Sequence, residues 1–183
     1  MRHLSRCLAL LAGLCLVVAP VAAAQSHPQT RQGFWIGFGF GYGSLSFSCD
    51  SGCSGSQGAV SGYLKMGGTL SPKLLIGGET NAWVKSESGT TFTASNASAA
   101  VYFYPSPASG LFLRGGLGYA SLSASQGGSS ASQSGFGAVF GLGYDVRVGT
   151  NTSITPVANF NWGSIGSGVK QNVFQLAVGV TFH

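Results

Sequence analysis

Charged side chains are scarce in this sequence. Asp, Glu, Lys and Arg make up only 7% of its 183 residues, whereas about 25% is usual in a soluble domain. A chain with so few charges cannot build the ordinary water-facing surface of a globular protein. The nine basic residues outnumber the four acidic ones, but they are scattered along the chain. Because they form no cluster, the sequence has no electrostatic footprint for nucleic acid, and we exclude that class of partner.

Long apolar runs are confined to the N-terminus. Residues 1–24 begin with basic side chains, continue with an apolar run over residues 8–19 and end in small residues, which are the three parts of a secretory signal peptide. We expect cleavage after Ala24, so that residues 25–183 form the mature domain. Beyond this segment no stretch of ~18 apolar residues occurs, which excludes a membrane-spanning helix.

Residues that bind metals or act as catalytic bases are also few. The mature chain has two histidines, His27 and His183, and two cysteines, Cys49 and Cys53. One C-x3-C spacing without histidine partners falls far short of a zinc site. In the oxidising compartment to which a signal peptide leads, the pair favours a local disulfide that stiffens a loop, with two free thiols as the alternative. We expect no metal, no cofactor and no catalytic residues.

What the mature chain does have is an alternation of apolar and small residues. One parity of its first segment is uniformly apolar and consists of Phe34, Ile36, Phe38, Phe40 and Tyr42. The other parity holds Trp35 followed by glycines. The pattern recurs over residues 136–148 and 174–182. Because a period of two is that of a β-strand, the sequence predicts strands with one continuous apolar face.

Turn and loop residues divide the mature chain into eight predicted strands. Their approximate bounds are residues 33–47, 58–70, 74–86, 91–104, 111–124, 135–148, 153–163 and 171–182. Short turns alternate with mostly longer Gly/Ser-rich connections, of which residues 48–57 and 125–134 are predicted to be loops. An even number of strands, with short turns on one side and longer loops on the other, is typical of an outer-membrane β-barrel.

Two all-β folds could account for these strands. In a secreted β-sandwich, the parity that faces water would carry charges and large polar groups. Here that parity is mostly Gly, Ala, Ser, Thr and Asn, which suits the crowded interior of a barrel of ~8 strands. The apolar parity would then face lipid. We therefore predict an all-β, eight-stranded, antiparallel up-and-down transmembrane β-barrel in the bacterial outer membrane, with both chain ends in the periplasm.

Two neighbouring segments carry a family resemblance. They are Val101-Tyr102-Phe103-Tyr104-Pro105 and the stretch GLFLRGGLGY over residues 110–119. They resemble the small outer-membrane β-barrel superfamily of OmpA-, OmpX- and OmpW-like proteins. The resemblance implies two partners, outer-membrane lipids and the barrel-assembly machinery, which reads a C-terminal signal of alternating apolar residues. The matching residues here are Phe174, Leu176, Val178, Val180 and Phe182, and His183 overhangs them by one position.

Some barrels of this size are enzymes, but the chain resembles them only in architecture. The lipid A palmitoyltransferase and the lipid A deacylase both rely on a catalytic histidine near the outer rim. The strand count places His27 and His183 at the periplasmic side, so neither could form a catalytic group at the outer leaflet. We expect a protein that is not an enzyme.

The inward parity carries most of the charges of the predicted barrel. A hairpin centred on position 72 places positions that sum to 144 opposite each other, which pairs Lys65 with Glu79. Arg114 and Asp145 share inward parity across a later hairpin, with Arg147 nearby. Because buried charges persist only when they are paired, we predict that these five residues form a lumenal cluster of salt bridges in the lower half of the barrel.

These features favour a structural or surface-interaction function for a compact barrel whose lumen is filled by side chains. The alternative is a small channel or hydrophobic-solute conduit, in which the inward charges would line a narrow polar path. A lipid-modifying enzyme ranks third. The predicted loops lack a cluster of aromatic or charged residues, so the sequence identifies no ligand.

Overall fold

The computed structural model describes residues 29–49, 52, 54–166 and 168–183. The predicted signal peptide, His27 and Cys53 lie outside these residues. The strands of the described part are β1 (Phe34–Cys49), β2 (Ser54–Ser71), β3 (Leu74–Glu87), β4 (Thr90–Phe103), β5 (Leu111–Gln126), β6 (Ser129–Tyr144), β7 (Val146–Arg147), β8 (Thr152–Ile165) and β9 (Val169–Phe182). No helix in this part of the chain is long and apolar enough to cross a membrane.

The strands pair antiparallel and close into a barrel. Each strand from β1 to β5 pairs with the next, β8 pairs with β9, and β9 returns to pair with β1. The ring closes through β6 and β8, which pair from Gly135↔Ile165 to Gly143↔Val157. Because β7 only continues β6 beyond Asp145 and also pairs with β8, the barrel has eight strands. The predicted antiparallel up-and-down barrel is confirmed.

The two ends of the barrel differ in their connections. Residue 29 and the chain terminus at residue 183 lie at one end, together with the β2–β3, β4–β5 and β7–β8 connections. We call this the periplasmic end, following the expectation from the sequence that both chain ends lie in the periplasm. The remaining hairpin turns lie at the opposite end, which is the extracellular one in this orientation, and we call it the mouth.

The register of the β2–β3 hairpin agrees with the prediction. From Val60↔Val84 to Thr69↔Leu75 the paired positions sum to 144, which places Lys65 opposite Glu79. A bulge after Thr69 then shifts the register by one before the turn. Since register decides which side chains share a face, the inward parity of both charged residues follows from it.

Side-chain exposure separates the two faces of the wall. On β1, Phe40 is 74% exposed, whereas Trp35 on the opposite parity is 1% exposed. On β9, Leu176 is exposed and its neighbour Gln175 is buried. Apolar residues therefore form the outer, lipid-facing surface, as the alternation predicts, whereas small and polar residues and a buried set of large aromatic side chains face the lumen.

Inward glycines make room for large side chains in the lumen. A Cβ placed on Gly39 would lie 2.7 Å from the Tyr63 ring and 2.7 Å from the Cα of Gly179. The barrel is so narrow that the backbone of its wall contacts the lumenal side chains here. Any side chain at position 39 would displace the Tyr63 ring. The buried cluster around this layer includes Trp35, Tyr63, Leu75, Tyr102, Tyr104 and Phe112.

The predicted long loops are wrong for most of their length. β1 and β2 already pair at Ser48↔Ser54, and β5 and β6 pair up to Gln126↔Ser129. The two glycines between the latter pair make the whole turn, with φ of 56° and 87°. Ser- and Gly-rich composition suggests loops, but hydroxyl side chains on facing strands also bond to each other and support pairing. The barrel wall therefore extends into these segments as paired ribbons.

We expect Phe140→Arg to destabilise the barrel, because Phe140 is exposed on the lipid-facing side in the middle of the apolar part of β6. An Arg at the bilayer midplane costs ~2–4 kcal/mol, but only ~0–1 kcal/mol near the interface. Ser132→Arg, on the same face of β6 closer to the mouth, is the matched control. Urea unfolding in phospholipid bilayers measures both, and equal losses would contradict the assigned lipid-facing band.

Candidate functional site

The lumen holds two layers of buried polar side chains. The central layer consists of Glu79, Arg114, Tyr102, Asn81 and Lys65 on strands β2 to β5. The periplasmic layer consists of Asp145, Tyr104, Thr155, Thr181 and His183. The predicted lumenal residues Lys65, Glu79, Arg114, Asp145 and Arg147 are all buried.

An ion pair forms the middle of the central layer. Arg114 Nη1 donates to Glu79 Oε2 at 2.6 Å, and the two side chains are 2% and 0% exposed. Asn81 Nδ2 donates to the other carboxylate oxygen at 3.2 Å, and the Tyr102 hydroxyl also donates to Glu79. A buried ion pair persists only when further hydrogen bonds surround it, and this carboxylate has them.

Lys65 does not form the ion pair with Glu79 that the sequence predicts. The two residues are directly opposite in register, but Arg114 reaches the Glu79 carboxylate from β5 across the lumen. The Lys65 ammonium instead lies among aromatic rings, 4.8 Å from the ring centre of Phe112 and 5.4 Å from that of Tyr102. Cation–π attraction therefore supplies part of its stabilisation.

Asp145 organises the periplasmic layer and lies where the sixth barrel strand is interrupted. Its backbone N–H donates to the Gly110 carbonyl at 2.9 Å instead of continuing the ladder. Its buried carboxylate accepts hydrogen bonds from Tyr104 Oη and Thr155 Oγ1, both at 2.8 Å. His183 Nε2 lies 3.2 Å from the same carboxylate. The predicted single cluster is thus two, because Arg114 pairs with Glu79 and leaves Asp145 to a separate set of partners.

His183 and Arg31 are the residues that sequence reasoning missed. His183 continues the inward parity of Thr181, so strand parity was the signal that could have placed it in the lumen. Arg31 precedes the first strand and carries no such signal. The histidine that overhangs the assembly signal is therefore a lumenal residue.

The segment before β1 covers the periplasmic end of the lumen. The Arg31 guanidinium lies 3.7 Å from the Tyr104 ring centre and donates to the Ser109 carbonyl at 2.7 Å. Arg147 Nη2 donates to the Thr30 carbonyl at 2.6 Å, which ties the same segment to β7. These contacts hold residues 29–33 across the opening, and we call this segment the periplasmic cap.

Above the central layer the lumen is narrow and polar. Trp83 is buried, and its indole N–H donates to the Gly43 carbonyl at 2.9 Å. Beneath it a cavity of about 10 Å³ is lined by residues that include Asn81, Asn96 and Gln171. That volume is room for about one water molecule.

The remaining predicted site residues lie on the wall. Cys49 is disulfide-bonded at the end of β1, and Cys53 lies outside the described residues. The residues of the predicted assembly signal share the outward face of β9, where Phe174, Leu176, Val178 and Phe182 are exposed and Val180 is partly buried.

We expect Glu79→Gln or Arg114→Met alone to cost about 3–5 kcal/mol of unfolding free energy, because each leaves a buried partner uncompensated. The double variant should recover much of that loss. Lys85 and Glu87 form an ion pair of 2.7 Å that is open to solvent on the Glu87 side and partly buried on the Lys85 side. Glu87→Gln and Lys85→Met there should each cost ~0–1 kcal/mol. Urea unfolding followed by tryptophan fluorescence measures all variants. Simple additivity of the Glu79 and Arg114 losses would contradict the buried pair.

Burial lowers the pKa of His183 below its ordinary value of 6.5, although the hydrogen bond with Asp145 opposes the shift. The folded state therefore binds this proton less readily than the unfolded state. We expect the barrel to lose stability as the pH falls from 6.5 to the lower folded pKa. NMR titration of the histidine resonances measures the pKa of His183 in the folded state, and the His183→Gln variant identifies which resonance belongs to His183. A pKa above 6.5 would contradict the assignment.

Comparison with known proteins agrees with this architecture. A family model described as outer membrane protein beta-barrel domain matches residues 9–182. Among solved structures, neisserial surface protein A is 19% identical with a TM-score of 0.58, covering 84% of this chain and 98% of that one. Ail, the attachment invasion locus protein of Yersinia pestis, is 19% identical with a TM-score of 0.56, covering 84% of this chain and 100% of that one. No curated protein sequence matches significantly. The chain belongs to the family of outer membrane proteins with a β-barrel domain.

Proposed function

We propose that this protein is a non-enzymatic, closed barrel of the bacterial outer membrane whose function is structural or lies in surface interactions at its mouth. The filled lumen carries the proposal. The central ion pair, the aromatic rings around Lys65 and the periplasmic cap follow one another along the barrel axis. A barrel of ~8 strands is just wide enough for such side chains. A solute would have to displace all three to pass.

The charges at the mouth indicate what kind of partner the surface suits. Among the described residues of the extracellular hairpins, the basic side chains are Lys85 and Lys170, and Lys85 is paired with Glu87 at 2.7 Å. The structure of Yersinia pestis Ail holds the heparin analogue sucrose octasulfate. A sulfated saccharide requires a basic surface. We infer that the partner of this chain carries little charge.

A narrow channel is the second candidate, and the cavity beneath Trp83 favours it. The side-chain oxygens of Ser61, Asn81 Oδ1, Asn161 and Gln171 have no hydrogen-bond partner among the described residues. All four of these residues line the cavity. Polar groups of this kind suit water, and a chain of waters would be the beginning of a conducting path.

Planar-bilayer conductance of the refolded protein separates the two candidates. We expect no discrete conductance steps, because the ion pair and the cap block the path. The variant Glu79→Ala/Arg114→Ala removes the central block and should conduct more often than the wild type. Lys85→Ala/Glu87→Ala, a pair outside the central block, is the control. Steady wild-type conductance whose ion selectivity changes in Glu79→Gln would contradict the closed barrel and support the channel.

A further inference from the structure

The inner face of the wall becomes apolar at the mouth. Leu45, Phe47, Trp83, Phe92 and Leu122, with the amide of Gln57, line a hollow of about 230 Å³. An apolar cavity of ~150 Å³ is enough to bind benzene. We call this hollow the mouth pocket. Its volume suits part of an acyl chain or a ring of similar size.

A second hollow adjoins the mouth pocket. It has a volume of about 470 Å³ and shares Phe92 and Leu122 with the first, and it extends along Ile165 and Val169 toward β6. In the described part of the chain, β6 pairs with β8 only up to Gly135↔Ile165. The β6–β8 part of the wall therefore extends less far toward the mouth than the β5–β6 hairpin does. The second hollow lies beside this shorter part of the wall and faces the β5–β6 hairpin. A chain-like molecule can extend from one hollow into the other.

The floor of the mouth pocket is closed. Trp83 is 2% exposed and is held by its hydrogen bond to the Gly43 carbonyl. The polar cavity of about 10 Å³ lies directly beneath. By contrast Phe92 is 39% exposed, so apolar surface remains accessible at the top. The shape is that of a binding pocket with a closed base and an open top.

The rim of the pocket is polar but electrically neutral. Lys85 Nζ donates to Gln57 Oε1 at 2.6 Å and pairs with Glu87 Oε2 at 2.7 Å. The two opposite charges cancel. Lys170 lies on the outward parity of β9. Among the described residues the inner side of the rim therefore offers hydrogen bonds without a net charge. Gln133 adds a further amide beside the second hollow. An uncharged head group fits this rim better than a carboxylate or an ammonium group does.

We propose that the mouth pocket binds a single-chain, uncharged amphiphile, with its acyl chain on Trp83, Phe92 and Leu122 and its polar head at Gln57 and Lys85. Burial of apolar surface drives the binding, and the rim orients the head. The bound molecule stops at Trp83. The claim that the bound molecule stops at Trp83 rests on the closed lumen proposed above. The claim that the mouth pocket binds the amphiphile does not depend on a closed lumen.

Contact quenching of Trp83 by a brominated chain tests the proposal. The full protein in phospholipid nanodiscs is titrated with 10-bromodecanol and, at equal mole fraction in the bilayer, with 10-bromodecanoate. Trp162 has no place in the pocket lining and reports only partition into lipid. Subtraction of the Trp83→Phe signal therefore isolates Trp83. We expect saturable quenching of Trp83 by the alcohol and weaker binding of the carboxylate.

Variants of the lining give the decisive comparison. Leu122→Gln should weaken 10-bromodecanol binding about tenfold, because each tenfold corresponds to ~1.4 kcal/mol, roughly two buried methylene groups. Ser125→Gln on the same strand, outside both hollows, is the matched control and should bind normally. If Leu122→Gln fails to fold, Phe92→Ser at the exposed edge of the pocket serves the same purpose.

Two results would overturn the inference. Quenching of Trp83 that is absent, non-saturable or equal in Leu122→Gln and Ser125→Gln means that the pocket does not bind such a chain. Tighter binding of the carboxylate means that the proposed uncharged class is wrong. Planar-bilayer conductance tests the closed lumen independently of the quenching experiment. A failure of the closed-lumen proposal can therefore be distinguished from a failure of the mouth-pocket proposal.

Discussion

The ion pair between Glu79 and Arg114 is the interaction on which the interior of this barrel depends. The interior of an eight-stranded barrel is just wide enough to be filled by side chains. The two charges therefore lie among other side chains and not in bulk water. Burial of the pair is tolerable only because Asn81 and Tyr102 also bond to the carboxylate. The residues around it are consequently constrained: glycines on the wall make room, and aromatic rings enclose the Lys65 ammonium.

The two ends of the barrel complete this filled interior in different ways. At the periplasmic end, Asp145 interrupts a strand and gathers Tyr104, Thr155 and His183, while Arg31 and Arg147 hold the cap. At the mouth the inward side chains are apolar and partly exposed. Polar closure at the periplasmic end and an open apolar pocket at the mouth favour binding at the surface over passage through the lumen.

Much of the fold could be predicted from period-two alternation alone. Alternating apolar residues such as those of Phe34 to Tyr42 identify the strands and their lipid-facing side, and the turn near position 72 fixes the register of Lys65 and Glu79. The ends of the strands could not be predicted, because Ser and Gly are common in both loops and paired ribbons. The hairpin of β5 and β6 shows this, with pairing up to Gln126↔Ser129.

The partners of the lumenal charges could not be predicted from the sequence, and the reason is geometric. Register decides which residues are neighbours along the wall, but Arg114 reaches Glu79 from two strands away across the lumen. His183 was predictable from the inward parity of Thr181, whereas Arg31 lies before the first strand and follows no alternation.

The most direct test of the filled lumen is the exchange of the Arg114 guanidinium protons with water. Solid-state NMR of the full chain in lipid bilayers, with arginine and glutamate labelled, resolves both the exchange rate and through-space transfer between Arg114 and Glu79. Slow exchange together with direct transfer to the Glu79 carboxylate is the result that a dry, paired interior predicts. Exchange as fast as that of an exposed arginine, without transfer to Glu79, would contradict it.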